Sequence, residues 1–399
     1  MALAQPPTPS FSLHERDRRW HLVRTLMESA GIEILVVTGE PDSRYLTQMA
    51  FDVGPTIFPL DGAVTALSGE GRVGSAAFHW VDDVRPRGGR WTEAIVARLE
   101  ELGADRRIVG VVGLDRTPHH PSGDLNYHTF IALREVFSHT RWVGASELMQ
   151  DARYVKSDEE IRCIEEAARA VDAGLAAAQT HARPGATDRE IYGEVVLAVS
   201  RAGGDRPSMP LLGVTSLNDP GDLPPEPIGR KLGTGGLCTV DVAAHCRGYQ
   251  ARAIQPIVTE PIPPDWKVAW NAIEEGWEQS QKDLRPGVTL RQIAAESSSS
   301  WGGSYTIRRE LVGQGLGDDP PLVTVGVTDR EIGDRTVQEG NCFMLKLTVE
   351  WEEARPQGTR DKGQGTRDKG QGSVPAQTTV VTGDKYRLRR ACGQRKRGV

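Results

Sequence analysis

Apolar positions along this chain follow two rhythms, one helical and one of short continuous runs. In "SLHERDRRWHLVRTLMESAG", Ser12 to Gly31, they recur at helical spacing. Ser12 and Glu15 predict a capping box at the start of this helix, and Gly31 predicts its end. The run "IEILVVTG" that follows predicts a buried strand. Further strands are expected around Ala63–Leu67, Arg107–Leu114 and Thr140–Val143, with helices over Thr92–Leu102 and Leu125–Phe137. Strands alternating with helices predict an α/β domain over residues 1–150.

A second domain is expected over residues 151–399. It begins at "VKSDEEIRCIEEAARAVDAGLAAAQTHA", where Ser157 and Glu160 predict a capping box. Ile161, Ile164, Ala168, Val171 and Leu175 then fall on one helix face, which reads as core. An internal repeat follows: "RPGATDREI" at Arg183–Ile191 returns as "RPGVTLRQI" at Arg285–Ile293. Each copy predicts a Pro-Gly turn and a capping box, Thr187 with Glu190 and Thr289 with Gln292. The stripe Trp266, Trp270, Ile273 and Trp277 reads as core ahead of the second copy. Two copies are too few for a solenoid and predict two similar α+β halves around a shared sheet, with a cleft between them. "NCFMLKLTVEW" and "AQTTVVTGD" read as a hairpin, split by a tandem "GTRDKGQ" in a polar insertion over residues 356–373 that is expected to be a mobile loop.

Composition narrows the function classes. A length of 399 residues is too much for one core, and no apolar run reaches the roughly 20 residues of a membrane span. The net charge of -6 argues against a general nucleic-acid binder, and the basic end "RLRRACGQRKRGV" reads as a solvated tail. The opening "MALAQPPTPSF" lacks the pattern of a secretory signal. Cys163, Cys238, Cys246, Cys342 and Cys392 have no CxxC spacing, so reduced thiols in a cytoplasmic protein are expected.

The stretch "VDVAAHCRGYQAR", Val240–Arg252, carries the candidate chemistry. An apolar strand delivers Asp241, a Gly248–Tyr249 turn follows, and the chain returns at Arg252. A carboxylate at the returning position could share a metal with Asp241, but a guanidinium cannot.

Taken in order, "ERDRRWHLVRTLMESAGIEILVVTG", "DARYVKSDEEIRCIEEAARA", the two "RPG.T" turns, "RKLGTGGLCTVDVAAHCRGY" and "LVGQGLG" resemble the creatinase, prolidase and aminopeptidase P family across nearly the whole chain. The resemblance implies a small N-terminal α/β creatinase-like domain followed by a C-terminal pita-bread domain with pseudo-twofold halves. It also implies a homodimer. The metallopeptidases of the family hold two metal ions with two Asp, one His and two Glu. On those positions this chain carries Asp241, Arg252, Gln314, Lys346 and, near the insertion, Ala376. A metal pair needs bridging carboxylates, so no metal and no cofactor are expected. Creatinase is a metal-free hydrolase on this fold, but the loop matching its catalytic histidine, Thr215–Leu232, contains none here, nor does Asp318–Leu322.

On such a fold Asp241, Arg252, Gln314 and Lys346 are expected to converge. One reading is a charged pocket for a small carboxylated metabolite, with Arg252 as anion clamp, Lys346 as proton donor or imine-forming amine, and Asp241 as base. This would be a hydrolase, lyase, decarboxylase or cyclase. The other reading is a salt-bridge cluster that neutralises Asp241 in a non-catalytic binding protein. A metal-dependent Xaa-Pro peptidase is the least favoured. His245 and Tyr249, which flank the turn, are candidate substrate-binding positions with Gln314, Glu226 and Phe51; Asp318 and Asp319 are further acidic loop candidates, and the resemblance puts Phe51 and Asp52 near an interface where they would line a partner's pocket. His119–His120 reads as incidental. The expected partner is a small molecule, neither nucleic acid nor membrane.

Overall fold

The computed structural model describes residues 11–49, 53–69, 80–89, 91–115, 123–205, 208–218, 226–296, 298–301, 305–323, 335–351, 371–380 and 387–388. Phe51, Asp52, His119, His120, Cys392 and almost all of the insertion lie outside them. The chain divides into two compact units, Met1–Glu159 and Glu160–Val399.

The first unit runs α1 (Leu13–Ala30), β1 (Ile34–Val37), α2 (Glu40–Thr47), β2 (Val53–Pro59), β3 (Thr65–Ser68), β4 (Asp83–Pro86), α3 (Trp91–Glu101), β5 (Ile108–Val112), α4 (Tyr127–Val136), β6 (Arg141–Gly144) and α5 (Ser146–Tyr154). Its six strands form one mixed sheet in the order β4-β3-β2-β1-β5-β6. Ile34, Val36, Ile57 and Leu67 of the sheet pack against Ile95 and Leu99 of α3 and Leu133 of α4. The strand β2 went unforeseen because its sequence, VGPTIFP, reads as a breaker. Its register slips between Val53 and Thr56, and the Gly and Pro fall in that irregularity.

The Ser12–Glu15 box forms only in half. Ser12 Oγ accepts from Glu15 N at 3.1 Å, but Ser12 N donates to Glu159 at 2.9 Å. Glu15 turns inward instead, taking Arg18 Nε at 2.8 Å and Arg19 Nε at 2.7 Å. Arg19 is 1% exposed, and its guanidinium lies 4.5–5.2 Å from the rings of Tyr45, Phe11 and Trp80. A buried cation among three aromatic rings requires a buried anion, and that need overrides the cap.

The second unit begins with α6 (Asp158–His181) and α7 (Asp188–Arg201), which cover one face of the antiparallel sheet β7 (Ser208–Ser216), β8 (Gly236–Cys246) and β9 (Tyr249–Val258). The helices α8 (Pro264–Asp283) and α9 (Leu290–Ala295) precede β10 (Ser298–Trp301), β11 (Tyr305–Gly315), β12 (Gly317–Val323), β13 (Cys342–Trp351), β14 (Gln371–Val380) and β15 (Arg387–Leu388). These strands pair as β10-β11-β13-β14-β15, with β12 added to β11. The expected hairpin across the insertion is β13 with β14. The two sheets are not one hydrogen-bonded sheet; they adjoin where β9 runs beside β14.

The sequence repeat is also a structural one. Both Thr187–Glu190 and Thr289–Gln292 form complete capping boxes. Gly185 N donates to Leu232 O and Gly287 N to Val337 O, each at 2.8 Å. Thr187 bridges Lys231 as Thr289 bridges Thr336. Each Pro-Gly turn thereby ties a helix start to the segment that enters or approaches the next strand. Trp266, Ile273 and Trp277 are buried as expected, while Trp270 is half-buried.

Burial alone would raise the Glu15 carboxyl, but the hydrogen bond from Arg18 and the charge of Arg19 outweigh it and hold the group below its usual 4.5. A depressed folded pKa stabilises the fold above the unfolded value and loses that contribution as pH falls through the folded one. Glu15→Gln is therefore expected to lower stability at neutral pH by about 1–3 kcal/mol. Thermal unfolding of both proteins below pH 4.5 is expected to show the difference shrinking.

Candidate active site

The hairpin β8–β9 sorts its side chains by alternation. Val240, Val242, Ala244, Ala251 and Ala253 face α6 and α7 in the core. Asp241, Ala243 and His245 therefore share the opposite face with their cross-strand partners Ile254, Arg252 and Gln250. The turn is Arg247–Gly248, both with positive φ (54° and 87°), as a two-residue type I′ hairpin requires.

Asp241 is 3% exposed, and Arg252 forks onto it diagonally. Arg252 Nε donates to Asp241 Oδ1 at 2.8 Å and Nη2 donates to Oδ2 at 2.5 Å. Both carboxylate oxygens are thus engaged by one planar cation. His245 Nε2 lies 3.1 Å from Gln250 Oε1 on the same face.

Tyr249 is a correction. It pairs with Cys246 on the helix side of the sheet, is 1% exposed, and donates its hydroxyl to Glu160 Oε1 at 2.8 Å. It faces away from Asp241 and cannot share a pocket with it.

In the second sheet, Ile307 and Leu347 lie beside Gly276 of α8, so Arg308, Glu310, Val312 and Gln314 point to the other face. Lys346 stands opposite Glu310 in register, and its Nζ lies 2.7 Å from Glu310 Oε2. The counter-ion of Lys346 is therefore Glu310 and not Asp241. Both side chains keep about a third of their exposure, 34% and 30%. Lys346 also sits where the β13–β14 register shifts, between Leu345 and Leu347. Gln314 is fully buried, with its amide nitrogen 3.3 Å from Gly313 O. Gly313 is needed there because the carbonyl of Pro320 passes where a Cβ would stand.

In place of the expected convergence of four residues, two ion pairs lie on the sheet faces opposite α6–α7 and opposite α8. Asp319 is buried beside Gly313, and Glu226 is exposed. The segment after Glu226 is pinned by Asp188, which is fully buried and accepts from Gly229 N at 2.7 Å and Ile228 N at 3.1 Å. Sequence reading missed Glu310. Its signal was the alternation of "RRELVGQG" against "FMLKL", which becomes visible once the two strands are set in register.

Two antiparallel sheets, each entered through a copy of the internal repeat, backed by helices and preceded in the chain by a mixed α/β unit, define the creatinase and aminopeptidase class. The sequence profile of metallopeptidase family M24 matches residues 162–382, and that of the creatinase/prolidase N-terminal domain matches residues 19–155. The chain belongs to the M24 family. It is 22% identical over 278 residues to the uncharacterized peptidase YqhT of Bacillus subtilis (strain 168), spanning 68% of this chain and 74% of that protein. Among solved structures, the prolidase from Pyrococcus horikoshii OT3 superposes with a TM-score of 0.70 at 16% identity, covering 92% of this chain and 95% of that one. An Xaa-Pro dipeptidase from Bacillus anthracis gives 0.68 at 18% identity over 92% and 95%. These structural likenesses establish the fold.

A family named for its metal prompts a test of the donor set. Each oxygen of the Asp241 carboxylate accepts a hydrogen bond from the Arg252 guanidinium. Among the described residues no group of three or more His, Cys, Asp or Glu side chains is arranged to hold a metal ion. Among the described residues, the side chains around Asp241 do not fit a pair of dications.

Removing one partner of a largely buried pair leaves an uncompensated charge. Arg252→Leu is expected to cost about 2–4 kcal/mol in denaturant unfolding, somewhat less than a fully sealed pair because Arg252 keeps partial exposure. Asp241→Leu combined with Arg252→Leu is expected to recover most of that loss.

Proposed function

We propose that this chain is a metal-independent hydrolase of the M24 fold acting on a small, polar, carboxylate-bearing substrate. The observation that carries this reading is the two-point grip of Arg252 on Asp241, at 2.8 and 2.5 Å. A carboxylate held in this way is poorly suited to bind a hard cation, and Arg252 stays protonated at any working pH. Hydrolysis as the reaction class is supported by the relatives, which are described as a peptidase, a prolidase and a dipeptidase.

Arg252, oriented by Asp241, receives the substrate carboxylate. Glu310 takes a proton from water, whose oxygen attacks the substrate carbonyl carbon. Lys346 gives a proton to the leaving nitrogen as the C–N bond breaks, and the proton on Glu310 returns to Lys346 across their 2.7 Å contact. Negative charge developing on the attacked oxygen is offset by the two cations. His245, Gln314 and Glu226 are proposed substrate-side positions. A cytoplasmic homodimer belongs to the same proposal and rests on the family resemblance and the reduced thiols.

A second reading, a ligand-binding relative without turnover, is favoured by the full burial of Gln314 and the closure of Asp241 by Arg252. The two readings part on one experiment. The purified protein is assayed against dipeptides, including Xaa-Pro, and N-acyl amino acids, with and without a strong chelator. Turnover is expected to survive the chelator and to fall by about 100-fold or more in folded Lys346→Met and Glu310→Gln. Xaa-Pro cleavage abolished by the chelator would overturn the proposal. Saturable binding without turnover across the panel would establish the second reading.

A further inference from the structure

The two copies of the internal repeat part company just after their capping boxes. On the register that sets Arg183 on Arg285, α6 and α8 end at matching residues, His181 and Asp283, and Gly174 of α6 falls on Gly276 of α8. The helices that follow do not match: α7 runs for 14 residues and α9 for 6. Where α7 continues with "VVLA", Val195–Ala198, the second copy has Ser297–Ser300, a run that cannot supply an apolar helix face. From Ser298 the chain pairs with β11 as β10 instead.

The first half is sealed at this point and the second is not. A Cβ on Gly174 would lie 2.8 Å from Val199 and 3.2 Å from Val195, so α7 closes over the α6 glycine. The atoms nearest a Cβ on Gly276 belong to the sheet, Ile307 at 3.3 Å and Leu347 at 3.7 Å. These three residues floor a cavity of about 320 Å³, on the side of β11 and β13 away from Glu310 and Lys346. One wall carries a charge. Arg309 lies two residues after Ile307 on the same side of β11, and its side chain is 11% exposed. Its Nη2 donates to Asp283 Oδ2 at 3.1 Å. Its Nη1 is buried and makes no hydrogen bond among the described residues. Glu296 Oε2 stands 3.8 Å from it, on a side chain that is 62% exposed. A surface carboxylate at that distance does not replace the acceptor that a buried guanidinium nitrogen requires.

We infer that this cavity binds a small apolar α-amino acid. Gly276, Ile307 and Leu347 receive its side chain. Its carboxylate takes the place of Glu296 at Arg309 Nη1. Glu296, moved aside, and Glu275, both exposed at the rim, receive its ammonium. Opposite charges set over one apolar floor select an α-amino acid over a plain carboxylate or a plain amine. The volume is at the small end for ligand sites and suits a ligand of this size. The site is built within the second half and does not depend on whether the Asp241 face turns a substrate over.

The full-length protein is titrated calorimetrically with L-leucine, with 4-methylpentanoate, which lacks the ammonium, and with L-leucinamide, which lacks the carboxylate. One leucine per chain is expected, bound about tenfold or more tighter than either analogue. Glu296→Gln, at an exposed position, is expected to weaken leucine about tenfold. It should leave 4-methylpentanoate as tight or tighter, because a competitor for Arg309 is gone. Gly276→Leu, with folding checked by thermal melting, is expected to abolish leucine binding by filling the floor. No saturable heat with leucine up to about 20 mM would overturn the inference, as would equal affinity for leucine and 4-methylpentanoate. Undiminished leucine binding in both variants would place the ligand outside the cavity and would overturn it as well. So would a Gly276→Leu protein that keeps leucine but changes oligomeric state in light scattering, because a second copy of the chain would then cover the cavity.

Discussion

The pairing of Asp241 with Arg252 is the constraint from which the rest of the second unit can be read. A carboxylate that is 3% exposed on the sheet face opposite α6 and α7 must have a counter-charge. Arg252 supplies it from the adjacent strand, two residues from the directly opposed Ile254. That reach depends on the hairpin register, and the register depends on the two-residue turn at Arg247–Gly248. A guanidinium is planar and permanently charged, so this solution fixes geometry as well as charge. It also spends the carboxylate that a metal would have needed. The adjoining sheet repeats the logic with Lys346 and Glu310, an ion pair at 2.7 Å that keeps about a third of its exposure on each side, 34% and 30%.

Much of the architecture was legible because its determinants are local. The two Thr capping boxes need only residues three apart, and both formed where the repeat placed them. The helical stripes became core because periodicity and burial are the same fact seen twice. The Ser12 box gave way for a reason that no local pattern carries: Arg19 sits among aromatic rings, and Glu15 is drawn inward to neutralise it. The strand β2 was hidden by a Gly-Pro pair that a register slip accommodates.

The site was legible in residue type and illegible in facing. A turn centred on Gly248–Tyr249 would put Tyr249 at the bend. The turn is one residue earlier, so Tyr249 is the first residue of the returning strand, on the helix face. Lys346 was read as a partner of Asp241 because both fall on the positions of one ancestral cavity. Its cross-strand neighbour Glu310, 36 positions earlier in the chain, answers its charge first. Long-range register decides which charges meet, and composition does not contain it.

The grip of Arg252 on Asp241 leaves no group of three or more His, Cys, Asp or Glu side chains arranged for the family's metal pair among the described residues. The most direct measurement is calorimetric titration of the chelator-treated, refolding-competent protein with manganese and with cobalt, alongside elemental analysis of the protein as purified. No stoichiometric metal is expected in the purified sample, and no saturable uptake of either ion. Two equivalents bound per chain would contradict it, because Asp241 would then have to exchange its guanidinium partner for a metal ion.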